Sequence, residues 1–141
     1  MSSSTSDDYR KRVYTKFGDG GETSLLYGGR ISKNSPNTEA YGITDEAVSV
    51  MGLARAMTSD QRVNDMLRDL QRELFTIAAE LATDPGKYEL FQQHFKPVTA
   101  EMVESLEAAI DSLEEEFEMP KVFILLGGSQ ASAAIDLARC V

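Results

Sequence analysis

The stretch from Asp60 to Ala82 most constrains the fold. Val63, Met66, Leu67, Leu70, Leu74, Ile77, Ala78 and Leu81 recur there at steps of three and four residues. A helix gathers such residues into one apolar stripe, whereas a strand would scatter them over both faces. Ser59 stands where a helix N-cap belongs, and Asp84-Pro85-Gly86 ends the pattern. A stripe this long must be covered by other amphipathic elements, and the chain supplies them. Ala40, Ile43, Ala47, Val50, Ala54 and Met57 predict a helix over 38–57, with Asn37 or Thr38 as its cap after the break at Ser35-Pro36. Val103, Leu106, Ile110, Leu113 and Phe117 predict the buried face of another helix, from Thr99 to about Phe117. A fourth begins at Ser129 and turns a small-residue face, Ala131, Ala134, Ile135 and Ala138, toward its neighbours. The intervening 83–98 reads as a loop lying on the body through Tyr88, Phe91, His94, Phe95 and Pro97. Pro120 stops the third helix, and Val122–Leu126 reads as a short extended apolar run before Gly127-Gly128. The expectation is an all-α, up-and-down helix bundle with four helices visible.

Composition narrows the class. The 141 residues suit one domain. No apolar run approaches the roughly 20 residues of a membrane span. The serine-rich start lacks the basic and apolar regions of a signal peptide, so residues 1–12 read as a disordered tail and the domain as 13–141, in a cytoplasmic protein. The single cysteine, Cys140, excludes an internal disulfide and a cysteine-cluster zinc site. A net charge of −9 argues against nucleic acid as a partner, yet leaves room for a nucleotide in a locally positive pocket. The acidic run Glu114, Glu115, Glu116 and Glu118 reads as a solvated helix end, and no metal-ligating set is assigned. His94 and Cys140 read as surface or packing residues.

The segment before the helices carries the chemistry. Tyr14 to Lys33 holds five of the ten glycines, Gly18, Gly20, Gly21, Gly28 and Gly29. Such backbone turns tightly and can bring N–H groups to an anion. Thr15, Lys16, Thr23, Ser24 and Lys33 add hydroxyl and ammonium donors, the groups a polyphosphate requires. The lysine precedes the glycines, so this is not a Walker A loop. A solvated loop that binds nothing would share this composition.

Two separated stretches together carry a resemblance. Tyr14-Thr15-Lys16-Phe17-Gly18-Asp19-Gly20-Gly21-Glu22-Thr23 with Lys33, then Glu39-Ala40-Tyr41-Gly42-Ile43-Thr44-Asp45-Glu46, resemble the first half of the PduO-type ATP:cob(I)alamin adenosyltransferases. Phe123-Ile124-Leu125-Leu126-Gly127-Gly128-Ser129, followed by Ala134 to Arg139, is similar to that family's second signature. The resemblance implies a five-helix bundle that forms a homotrimer with active sites between subunits. It implies transfer of the 5′-deoxyadenosyl group of ATP to Co(I) of cobalamin, with release of triphosphate and with Mg²⁺ bridging the phosphates. Thr15, Lys16, Phe17, Gly18, Thr23, Ser24 and Lys33 match positions that hold ATP. Asp45 matches an aspartate that pairs with an arginine at the position of Arg139. Phe123 matches the aromatic residue beneath the corrin ring. A cob(II)alamin reductase or a B12-dependent enzyme is the implied partner.

The chain also departs from that pattern. Val48 stands where the family carries asparagine, and Leu126 where a proline precedes the Gly-Gly pair. The arginine-rich segment and fifth helix expected after Val141 are not in this sequence, so the domain reads as incomplete at its C-terminus. A non-catalytic module that binds ATP or a corrinoid is the alternative reading. A purely structural bundle is a third.

Overall fold

Helix α1 (Pro36–Met57) starts earlier than its stripe suggests. Ser35 is extended, and its hydroxyl accepts the Thr38 N–H at 3.2 Å. Pro36 in the first turn lacks an N–H that would need a partner, so the cap falls on Ser35 rather than Asn37 or Thr38. Helix α2 (Gln61–Leu81) is capped by Asp60, not Ser59. Its carboxylate takes the Arg62 and Val63 N–H groups at 2.8 and 3.2 Å and also complements the helix dipole. The computed structural model describes residues 14–141, so the expected tail at 1–12 lies outside the described residues.

The segment read as a loop contains a 3-10 turn, Pro85–Lys87, and a helix, α3 (Tyr88–His94). The described residues therefore form five α-helices rather than four. Seven residues are too few to display a period, and this helix is held by aromatic stacking instead. Phe91 is fully buried, with Tyr88 and Phe95 stacked on it at ring-centroid distances of 5.7 and 5.3 Å. Helix α4 (Ala100–Glu114) stops short of Phe117, where acidic residues oppose the dipole of a helix C-terminus. Helix α5 (Gln130–Cys140) opens with a reciprocal capping box between Ser129 and Ser132.

Two short strands precede the helices. β1 (Glu22–Ser24) and β2 (Arg30–Ser32) pair antiparallel, with Thr23 opposite Ile31. The hairpin is pinned to the C-terminal end of α2. Leu26 donates its N–H to Ala82 at 2.7 Å, and Asp84 donates to the Leu26 carbonyl at 3.2 Å.

The core forms where α1, α2 and α5 meet. Ala54 is 0% exposed and packs with Leu67 and Ala134, flanked by Met51, Val63, Leu70 and Ile135. A polar seam fixes the α1–α2 register. Arg55 donates to Asn64 Oδ1 at 3.1 and 3.2 Å and to Gln71 Oε1 at 2.8 Å. Gln71 in turn donates to the Val48 carbonyl at 2.8 Å. Earlier residues of α1 thus meet later residues of α2, so the two helices run antiparallel. Helix α4 departs from expectation: Val103, Leu106, Ile110 and, just past its end, Phe117 are exposed. Periodicity identified the helix but could not say what covers its stripe, and the three-helix core does not. An ion pair between Arg62 and Glu116 places the end of α4 beside the start of α2.

Replacing Leu67 by Ala should cost about 2–5 kcal/mol, read as a lowered urea midpoint, because the packed Ala54–Ala134 contact leaves little room for collapse into the cavity.

Candidate functional site

The glycine-rich segment folds back on itself before it enters the hairpin. Asp19 donates its N–H to the Lys16 carbonyl at 3.2 Å, and Gly21 donates to Gly18 at 3.1 Å. Lys16 adopts φ 62°, a left-handed conformation uncommon outside glycine. The Lys33 N–H closes the loop on the Gly21 carbonyl at 2.8 Å. Arg30 ties both halves together: one guanidinium nitrogen donates to the Phe17 carbonyl at 2.9 Å and another to Glu22 at 3.1 Å. The Lys33 side chain crosses directly over Gly18, where a Cβ would lie 2.7 Å from its Nζ. A methyl there would displace the flexible end of the lysine from this place.

The structure brings Phe17, Gly18 and Lys33 into this turn, with Thr15 and Lys16 beside it. Thr15, Lys16, Phe17 and Lys33 are exposed, so their donors face solvent and any ligand arriving from it. Thr23 and Ser24 lie on β1 with side chains on opposite faces, Thr23 half-buried and Ser24 exposed. Two ammonium groups, several hydroxyls and turned backbone amides suit an anion with several phosphates.

The other expected site residues lie elsewhere. Asp45 is exposed on α1. Arg139, in the last turn of α5, pairs with Asp136 at 2.9 Å, and the Asp136 carboxylate raises its already high pKa. Among the described residues no ion pair joins Asp45 to Arg139. Phe123, in the short apolar run, is 106% exposed, and Leu125 is 95% exposed. Val48, at the departure from the family asparagine, is buried. No group of three histidine, cysteine, aspartate or glutamate residues suited to a metal occurs among the described residues, the acidic end of α4 included.

Sequence reasoning missed Arg30 and the α2–α3 corner. The only signal for Arg30 was its strand register with Ser24 and its reach back to Glu22. A groove of about 540 Å³ beside that corner is lined by Asn37, Ile77, Glu80, Leu81, Tyr88 and Val98 among others. Glu80 accepts the Tyr88 hydroxyl at 2.5 Å and the Val98 N–H at 2.8 Å, which raises the Tyr88 pKa and leaves the carboxylate committed to holding the corner.

Residues 13–141, which contain the hairpin, the α1 stretch around Asp45 and the Phe123 loop, match the profile of the cobalamin adenosyltransferases. The chain belongs to this family. It is 36% identical over 127 residues to the corrinoid adenosyltransferase PduO of Salmonella typhimurium, covering 90% of this chain and 37% of that protein. It is 39% identical over 132 residues to a corrinoid adenosyltransferase of Bacillus subtilis, covering 92% and 66%. The chain thus spans little more than a third of the first relative and about two thirds of the second. Among solved structures, a PduO-type ATP:corrinoid adenosyltransferase from Lactobacillus reuteri, a Phe-to-Ala variant complexed with cobalamin and ATP, superposes with a TM-score of 0.80 at 31% identity, covering 92% of this chain and 71% of that one. An Arg-to-Lys variant of that enzyme complexed with ATP gives a TM-score of 0.77 at 32% identity, covering 91% and 70%. The all-α architecture is thereby the family's helical fold, and among the described residues no helix is long and apolar enough to cross a membrane.

Replacing Arg30 by Met should free the Phe17 carbonyl and loosen the turn. Limited trypsin digestion should then cut after Lys16 several-fold faster than in the unsubstituted protein, with the helical circular dichroism unchanged.

Proposed function

We propose that the protein is a corrinoid adenosyltransferase that moves the 5′-deoxyadenosyl group of ATP to Co(I) of cobalamin and releases triphosphate. The observation that carries this reading is the Lys33 ammonium seated over Gly18, in the turn that Thr15 and Lys16 lead into, in a chain of this family. Cob(I)alamin is itself the nucleophile. The cobalt–carbon bond forms as the bond from C5′ to the triphosphate oxygen breaks, and the electron pair leaves with the triphosphate. The protein's part is to orient the 5′-carbon and to neutralise the charge left on the leaving oxygens. Lys16 and Lys33 supply that charge. Thr15, Thr23 and Ser24 supply hydroxyls, and the turn supplies the Gly18 amide, while the Phe17 N–H is donated to Thr15 Oγ1 at 3.4 Å.

Mg²⁺ accompanies ATP in this reading. It keeps much of its water and binds chiefly through substrate phosphates, so it needs no carboxylate cage. The hairpin fits this, since Thr15 and Ser24 carry exposed hydroxyls and Glu22 is paired with Arg30. Phe123, exposed on its loop, is suited to lie against the face of a corrin ring and hold off a lower axial ligand.

The placement of these parts supports a homotrimer with sites between subunits. The hairpin sits at the Leu81–Thr83 end of the α1–α2 pair. The loop carrying Phe123 is flanked by Glu116, paired with Arg62, and by Ala134, packed on Ala54, both toward the opposite end. A helix of 22 residues spans roughly 33 Å, so one chain's ATP hairpin and its own aromatic loop are poorly placed to share a site. A neighbouring copy supplies the missing half, and Asp45 and Arg139 pair across that boundary. The enzyme acts in the cytoplasm and receives its corrinoid from a reductase or passes it to a B12-dependent enzyme.

Incubation with ATP, Mg²⁺ and chemically reduced cobalamin should yield adenosylcobalamin, followed by its absorbance. Replacing Lys16 by Ala should raise the KM for ATP by about 10-fold or more, as expected for loss of a charge-assisted phosphate contact. Replacing Phe123 by Ala should instead lower kcat by roughly 10- to 100-fold while the ATP affinity holds, since the lost contact is to the corrinoid. Absence of product would sink the enzymatic reading. Calorimetric binding of ATP and cob(II)alamin without turnover would favour a non-catalytic binding module, the reading favoured by Val48 at the asparagine position.

A further inference from the structure

The corner between α2 and α3 touches the phosphate-binding hairpin at its tip. Residues 25–29 form a tight connection in which Leu25 donates to the Gly29 carbonyl at 3.2 Å and Gly28 donates to the Leu25 carbonyl at 3.3 Å. Leu26, inside that connection, forms the parallel bridge with Thr83, which is buried. Asp84 follows directly. One carboxylate oxygen accepts the Gly86 N–H at 2.8 Å, which fixes the side chain at the head of the 3-10 turn. The other oxygen lies over Gly29, so close that a Cβ there would come within 2.7 Å of it. Gly29 has φ 73°, in the region that favours glycine. On the other side of the tip, Tyr27 faces His94 of α3, with ring centroids 6.0 Å apart.

We infer that Asp84 is a positioning residue for ATP: seated in the notch at Gly29, it fixes the pose of the β1–β2 hairpin and so the placement of Lys33 over Gly18. This rests on the reading of that hairpin as the ATP site. Asp84 touches no substrate. It acts through the hairpin, whose second strand runs from Arg30 to Ser32 and delivers Lys33 to the turn. The two-residue span between Leu26 and Gly29 is held on one flank by backbone bonds and packed on the other by the carboxylate, which fills the space over Gly29 without bonding to it. Removing the carboxylate leaves the Leu26 bridge but frees the tip to rotate about it. Adding a methyl at Gly29 pushes the carboxylate from its place and breaks its bond to Gly86.

The test is a double-substitution cycle on Gly29 and Asp84, with two readouts. The first is amide hydrogen exchange without ligand. Asp84→Ala should speed exchange at Leu25, Gly28 and Lys33 by about tenfold while Leu26 and the amides in α1 and α2 keep their protection, as expected when one local unit opens alone. The second is the steady-state split. Asp84→Ala should raise the KM for ATP by about 5- to 20-fold, with kcat and the KM for the corrinoid within about twofold, because ground-state placement of one substrate is what is lost. Asp84→Asn keeps the shape and the acceptor for Gly86 and should restore both readouts. Gly29→Ala should also raise the KM for ATP, and the double variant should be less impaired than the product of the single effects, since the methyl then occupies space the carboxylate has left. Unchanged exchange in Asp84→Ala, or multiplicative effects in the cycle, would overturn the proposal. Faster exchange in a protein whose unsubstituted form binds no ATP would leave the anchor standing and overturn the nucleotide reading instead.

Discussion

The close approach of α1, α2 and α5 at Ala54 is the constraint on which the rest of the structure depends. Ala54 has no exposed surface, and the residues facing it from α5 include Ala134. Small side chains at such a crossing let helix backbones come near the short end of the usual 8–10 Å spacing. Leu67 and its neighbours on α2 then fill the third side. The hydrophobic term is non-directional and would tolerate sliding. The Arg55–Asn64–Gln71 seam removes that freedom, because each of its partly buried polar groups is satisfied at only one register of α1 on α2.

That register decides where the functional parts go. With α1 and α2 locked antiparallel, the start of α1 and the end of α2 share one end of the bundle. The glycine-rich hairpin runs directly into α1 and is bound through Leu26 to the last turn of α2, so it has little choice of position. The Phe123 loop is delivered by α4 and α5 toward the other end. Its Val122–Leu126 segment stays exposed, and so does the apolar stripe of α4. These apolar side chains are costly to leave in water, and larger exposed apolar patches commonly mark an interface or a ligand face. A corrinoid and neighbouring subunits are the occupants the proposed function supplies.

Helix existence was legible from the sequence wherever a stripe was long. The steps from Val63 to Leu81 and from Ala40 to Met57 each specified a helix, and Ser129 specified the cap of α5. The cap of α2 slipped by a residue, from the expected Ser59 to Asp60, because the choice depends on which side chain can reach the free N–H groups. Helix α3 was not legible: its stability comes from stacking among Tyr88, Phe91 and Phe95 and from burial of Phe91, which one-dimensional spacing does not encode. The stripe of α4 was read as buried because periodicity reports an apolar face and not its cover. For the candidate site, Lys16, Gly18 and Lys33 were visible from residue types in a glycine-rich segment, and the structure adds the crossing of Lys33 over Gly18. Arg30 and Asp84 escaped notice because each acts through a contact distant in sequence, Arg30 with Phe17 and Asp84 with Gly29.

We assign the ATP site to the glycine-rich hairpin held on its helical frame. Titrating isotope-labelled protein with ATP and Mg²⁺ and following backbone amide resonances tests this most directly. Saturable shifts should be confined largely to residues 15–24 and Lys33, with little change in the groove near Tyr88. Shifts centred on that groove, or none at millimolar ATP, would contradict the assignment.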